Sequence, residues 1–250
     1  MRRYLLGLFL LSAVVIHPSA WASLDPTGEG TPTLGVRSSL YKAGINSLPE
    51  PPNSGSSITI TKKYFKVDAG SSFVCGIRQK DRGLDCWGLN DLGQLNAPKK
   101  GKYKKLSLGE MHGCAIRLDN RLVCWGDPGS TPKDEELKGR YLDVSSGDSH
   151  TCAIQKKGGS IQCWGSNLQG QLTPPQGRFK SISARNNQTC AVSTKGQVLC
   201  WGEDAFESFI QPMGVFTDVT VGKLHACAVR QSDNGVQCWG NNFFGVLNPP

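Results

Sequence analysis

Ten cysteines and three of the four histidines recur at fixed offsets, and they hold most of the reactive side-chain chemistry in this sequence. Cys75, Cys114, Cys152, Cys190 and Cys227 are each followed, 10 or 11 positions on, by a second cysteine that begins a Cys-Trp-Gly triplet: Cys86, Cys124, Cys163, Cys200 and Cys238. His112, His150 and His225 precede Cys114, Cys152 and Cys227 by two positions, so on an extended strand each His and Cys share one face. Such pairs could hold zinc. Structural zinc sites, however, use short Cys-x(2–4)-Cys knuckles that this chain lacks, and the other two repeats carry Phe73 and Gln188 where the histidines stand. Catalysis would need a nucleophile with a base, paired acids or an open metal site. The three histidines occupy one repeated structural position and no acid pair recurs, so the expectation is no catalytic residue, no metal and no cofactor.

Disulfide chemistry fits the spacing better, and it requires a particular element. An aromatic residue opens each of five units, at Tyr64, Tyr103, Tyr141, Phe179 and Phe216, with starts 37 to 39 residues apart. A period of this length marks a repeat architecture. Within the unit Tyr141 to Leu172, Cys152-Ala153-Ile154 and Ile161-Gln162-Cys163 alternate with period two. That places cysteines and isoleucines on one sheet face, and Ala153 and Trp164 on the other. Both faces are largely apolar, as expected for strands buried between neighbours.

If Cys152 lies opposite Cys163, the midpoint is Lys157-Gly158, which predicts a two-residue turn. The same parity predicts three-residue loops at Thr194-Lys195-Gly196 and Leu118-Asp119-Asn120, and longer or bulged turns at Lys80–Gly83 and Ser232–Gly235. Opposed residues at a non-hydrogen-bonded antiparallel site have Cα atoms roughly 4.5 Å apart, within the range of about 4.4 to 6.8 Å that a disulfide accepts. Five bridges, each inside one hairpin, are therefore expected from Cys75–Cys86 through Cys227–Cys238. Bridges between neighbouring units remain the alternative at this level.

The first 22 residues have Arg2 and Arg3, an apolar run from Leu5 to Ile16 and a small-x-small ending at Ala20-Trp21-Ala22, which is a secretory signal pattern. Residues 23–56, rich in Pro, Gly and Ser, are expected to form a flexible leader, and 57–250 the repeat domain. Ser57–Thr61 alternates β-branched residues and is expected to be a strand that could close a ring. An exported protein, periplasmic or extracellular, with no transmembrane segment follows from this reading, and a monomer is expected. Without Arg2 and Arg3 the formal charge falls from +8 to +6, an excess that an ordinary solubilising surface accounts for. Export disfavours a nucleic-acid partner.

Gly147, His150, Cys152, Ala153 and Ile154, followed by Cys163, Trp164, Gly165, Asn167, Gly170, Gln171 and Leu172, give the pattern by which the chain resembles the regulator of chromosome condensation repeat, in its cysteine-paired bacterial form. The first unit keeps Asn90, Gly93, Gln94 and Leu95, and the last keeps Asn242, Gly245 and Leu247. The resemblance implies an all-β fold, a β-propeller with one repeat per blade. Five blades of about 37 residues are expected here, each with three strands and a short fourth. The second and fourth units depart from the pattern, at Asp127–Lys138 and Glu203–Phe209.

The family includes a nuclear exchange factor for a small GTPase, which the signal pattern argues against, and secreted bacterial inhibitors of β-lactamases. The resemblance thus implies a secreted, non-enzymatic protein-protein interaction module, a binder or inhibitor of a secreted or envelope protein of unknown identity. Phe206, Phe209, Phe243 and Phe244 are its candidate partner-binding residues. Attachment to envelope or carbohydrate through Lys99, Lys100, Lys102, Lys104 and Lys105 is the alternative, and a secreted hydrolase the weakest reading.

Overall fold

A computed structural model describes residues 62–133, 136–203 and 212–249. The signal, leader and Ser57–Thr61 expectations lie outside these residues, as do Phe206 and Phe209. The described chain forms five antiparallel sheets of three strands. Blade 1 holds β1 (Tyr64–Ala69), β2 (Phe73–Arg78) and β3 (Leu84–Gly88), and blade 2 holds β4 (Tyr103–Leu108), β5 (His112–Arg117) and β6 (Leu122–Gly126). Blade 3 holds β7 (Tyr141–Ser146), β8 (His150–Gln155) and β9 (Ile161–Gly165). Blade 4 holds β10 (Phe179–Arg185), β11 (Gln188–Ser193) and β12 (Val198–Gly202), and blade 5 holds β13 (Phe216–Val221), β14 (His225–Arg230) and β15 (Val236–Gly240). The short fourth strand does not form among the described residues. After the third strand, the Asn-x-x-Gly segments of blades 1, 3 and 5 make turns.

Every blade contains its own disulfide, with Cα atoms 4.0 to 4.1 Å apart. In each blade the paired cysteines are direct register partners on the second and third strands. The three-residue loops form as predicted, with Asn120 (φ 70°) and Gly196 (φ 86°) in the left-handed position. The loop of blade 3 is longer than predicted. Gln155 N–H bonds Ser160 O and Gly159 N–H bonds Gln155 O, so four residues turn the chain, with both Gly158 and Gly159 left-handed. Parity fixed the centre of that loop, but the pairing stops one step earlier on each side.

A β-bulge recurs in every opening strand, directly after the aromatic. Its extra residue reverses the inward-outward parity. Tyr141 and Val144, three positions apart, therefore face the same neighbour, as do Phe179 and Ile182.

The core is the set of spaces between blades. The cysteine face of blade 2 (Cys114, Ile116, Leu122) packs on Tyr141, Val144, Ala153 and Trp164 of blade 3. The cysteine face of blade 3 packs in the same way on Phe179, Ile182 and Ala191 of blade 4, and that of blade 4 on Phe216, Val219, Ala228 and Trp239 of blade 5. Blade 1 supplies Cys75, Ile77 and Leu84 to Tyr103, Leu106, Ala115 and Trp125 of blade 2. Burying one such aromatic or aliphatic side chain stabilises by about 1.5 to 3 kcal/mol, so each boundary is held mainly by its apolar cluster.

Candidate functional site

Polar side chains on the opening strands tie the blades together around the axis. Asp68, Ser107, Ser145, Ser183 and Thr220 each lie four positions after the opening aromatic. Asp68 Oδ2 accepts the N–H of Leu108 at 2.9 Å, Ser107 Oγ that of Ser146 at 2.9 Å, Ser145 Oγ that of Ala184 at 2.8 Å, and Ser183 Oγ that of Val221 at 3.0 Å. Each bond crosses one blade boundary. These residues and the turns beyond them line a cavity of about 250 Å³ reached by all five blades. Burial raises the Asp68 carboxyl above its ordinary range, although its two main-chain hydrogen bonds oppose that shift.

Arg185 also lines this cavity, at a position where the other four repeats have Gly70, Gly109, Gly147 and Gly222. A Cβ on Gly109 or Gly147 would collide with the histidine of the same blade and with a carbonyl of the next. Blade 4 admits a side chain because β10 runs one residue further and turns tightly at Asn186, which is left-handed (φ 50°). The cavity wall therefore carries one guanidinium among the carboxylates of Asp68, Glu110 and Asp148.

The Asn-x-x-Gly segments leave the third strands at this same end of the blades, because Phe73 pairs with Gly88, His150 with Gly165 and His225 with Gly240. Asn90, Asn167 and Asn242 fix the loops by accepting, at Oδ1, the N–H of the leucine five residues on. Gln94 and Gln171 are buried and accept a main-chain N–H within the same loop. The indoles of Trp125 and Trp201, each on the following blade, donate to the carbonyls of Gln94 and Gln171 at 2.8 and 2.9 Å. The loop base is thus pinned on two sides while its tip projects. Leu168 is 89% exposed, Phe243 82% and Phe244 88%.

Two of the three histidines of the zinc reading have another occupation. Nε2 of His112 lies 2.8 Å from Thr151 Oγ1 and Nε2 of His150 lies 2.7 Å from Thr189 Oγ1, each across a blade boundary. Burial lowers both imidazoles to a pKa of about 4. Among the described residues no three His, Cys, Asp or Glu side chains gather where a metal could be held. The lysine run is partly engaged: Lys105 pairs with Asp143 at 2.6 Å and Lys104 bonds Asn120. Sequence reasoning passed over the axial polar ring, Arg185 and Leu168. The signal for the ring was present in the constant offset of Asp68 and its hydroxyl counterparts from the opening aromatic.

Residues 142–171 and 216–246 match the regulator of chromosome condensation (RCC1) repeat. The fold is similar to the ectodomain of the receptor kinase CR4 from Physcomitrella patens (27% identity, TM-score 0.62), covering 72% of this chain and 52% of that one. It is also similar to the CRINKLY WD40 ectodomain of the receptor kinase ACR4 from Arabidopsis thaliana (25% identity, TM-score 0.59), covering 74% of this chain and 66% of that one. Yeast RCC1 (Prp20), solved bound to Kap60, shares the fold at 17% identity and a TM-score of 0.54, covering 73% of this chain and 57% of that one. The chain therefore spans between half and two thirds of the length of these proteins. Two of the five disulfide-stitched sheets, blades 3 and 5, thus match the regulator of chromosome condensation repeat, and all five fold as β-propeller blades similar to those of these neighbours.

Proposed function

We propose that the chain is an exported, non-enzymatic protein-binding module whose contact surface is the end of the blades that carries the Asn-x-x-Gly loops. The observation behind this reading is the exposure of Leu168, Phe243 and Phe244 at loop tips whose bases are hydrogen-bonded in place. Apolar side chains on a preorganised loop lose little conformational freedom on binding, and aromatic anchors carry a large share of interface energy. Phe206 and Phe209 join the proposal on sequence grounds, from the corresponding segment of the fourth repeat. Five disulfides favour an oxidising compartment. The absence of catalysis is supported by the commitment of all ten cysteines to bridges and of His112 and His150 to blade-to-blade hydrogen bonds.

The test is a pull-down from native envelope and culture medium with the wild-type chain, Phe243→Ala/Phe244→Ala and Phe206→Ala/Phe209→Ala, read by mass spectrometry. A captured protein lost by the first double variant, with circular dichroism and melting unchanged, is the expected result. Undiminished capture by both double variants refutes this surface.

A further inference from the structure

Each blade has a leading face, with the opening aromatic and the tryptophan, and a trailing face, with the disulfide and its aliphatic neighbours. At four boundaries the trailing face of one blade covers the leading face of the next. Among the described residues, the leading face of blade 1 and the trailing face of blade 5 lack such a cover. Val67 is 56% exposed, whereas Leu106, Val144, Ile182 and Val219 at the same position are buried. Trp87 is 40% exposed, whereas Trp125, Trp164 and Trp239 are buried. On blade 5 Val236 is 42% exposed, whereas Leu84, Leu122 and Val198 are buried. Cys227 is half-buried, whereas Cys75, Cys114, Cys152 and Cys190 are sealed.

The polar fittings of the two uncovered faces also match. At each internal boundary the left-handed turn residue (Arg82, Asn120, Gly159 or Gly196) offers its carbonyl to the N–H of the next opening aromatic. Asn234 is the left-handed residue of blade 5, and Tyr64 is the opening aromatic of blade 1. Two positions after the aromatic, Lys105 pairs with Asp143 across one boundary, and Ser181 donates to Asp218 across another. The next pair in that series is Asp218 of blade 5 with Lys66 of blade 1, which carry opposite charges.

We propose that the trailing face of blade 5 receives the leading face of blade 1 from a second copy of the chain, head to tail. Four junctions of one design fix the step between blades, and among the described residues that step leaves the two terminal faces uncovered. The surface carrying the fittings of the missing neighbour is the opposite end of another copy. The apolar residues and the Asp218–Lys66 charges then form a fifth junction of the same kind. Because the contact uses two different faces, each copy can join two others, and a face blocked on one side stops growth there. This self-association differs from the monomer expected from the sequence.

Sedimentation velocity of the mature, disulfide-bonded chain over a range of concentrations tests the proposal, with Val67→Glu on the leading face and Val236→Lys on the trailing face. Both positions are exposed, so the variants should fold, with Lys66→Glu as a second leading-face variant if Val67→Glu does not. Wild type should gain mass with concentration, and each variant alone should remain monomeric. An equimolar mixture of Val67→Glu and Val236→Lys retains one intact junction and should stop at a dimer. A wild type that stays monomeric, because the ring closes on itself or other residues of the chain cover these faces, overturns the proposal. So do single variants that still associate, or a mixture that does not.

Discussion

The carbonyl of Asn120, a residue held at φ 70°, accepts the main-chain N–H of Tyr141 at 2.7 Å across the boundary between blades 2 and 3. The left-handed turn therefore both closes a hairpin and presents a carbonyl to the next blade. Asn and Gly tolerate this conformation, whereas other L-residues lose roughly 1 to 2 kcal/mol there. Asn120→Val should destabilise by about that amount relative to Asn120→Gly, since both lose the same Lys104 contact. Guanidinium midpoints with bridges intact measure the difference, and equal midpoints would remove the strain argument.

Gly147 and Gly222 hold the same repeat position with different surroundings. A Cβ on Gly147 would stand against the carbonyl of Asn186 on the next blade and the ring of His150, whereas on Gly222 its three nearest atoms all belong to the ring of His225, a side chain that can shift. Overpacking against a fixed neighbour costs about 1 to 3 kcal/mol. Gly147→Ala should fall in that range and Gly222→Ala should cost clearly less, as read by thermal melting of the two variants.

Period-two alternation and cysteine parity made the strand pairing legible, because side-chain direction in a sheet is fixed by counting. The same counting misleads across the opening strands. Tyr141 and Val144, or Phe179 and Ile182, sit three apart and would point to opposite faces of a regular strand. The bulge that reunites them is a backbone feature with no residue type of its own. The lack of cover on blades 1 and 5 among the described residues was hidden for a related reason. Blade 1 keeps Tyr64, Val67 and Trp87 like any inner blade, so its exposure depends on what stands beside it rather than on its own residues. The axial ring was masked by the ordinariness of serine, and Arg185 by the apparent drift of a single glycine.

Acid should loosen the boundaries between blades 2, 3 and 4. With Nε2–H of His150 donating to Thr189, Nδ1 is a buried lone pair without a partner, and the same holds for His112 and Thr151. Protonation would place a charge and an unpaired N–H in that space. The folded pKa of about 4 lies below the ordinary value of 6.5, so between these limits the unfolded chain binds more protons than the folded one. Stability from these groups is complete above pH 6.5 and is lost as pH falls towards 4, by at most on the order of 3 kcal/mol per histidine. Denaturation midpoints across this window should flatten in His150→Gln, which copies the glutamine of blade 4. An unchanged slope would show that other groups titrate.

The five disulfides should not be equally open to reductant. Cys75, Cys114, Cys152 and Cys190 are sealed by the following blade, while Cys227 is half-buried on the uncovered face of blade 5. Thiol-disulfide exchange requires in-line access of a thiolate to sulfur, so in dilute native protein the Cys227–Cys238 bridge should open before the other four. Limited reduction followed by alkylation and peptide mapping gives the order directly. Cys152→Ala/Cys163→Ala, in contrast, should cost up to about 3 kcal/mol because it frees an 11-residue hairpin that two neighbouring blades enclose. Equal labelling of all five pairs at partial reduction would mean that global unfolding precedes exchange, and that the last blade is no more accessible than the rest.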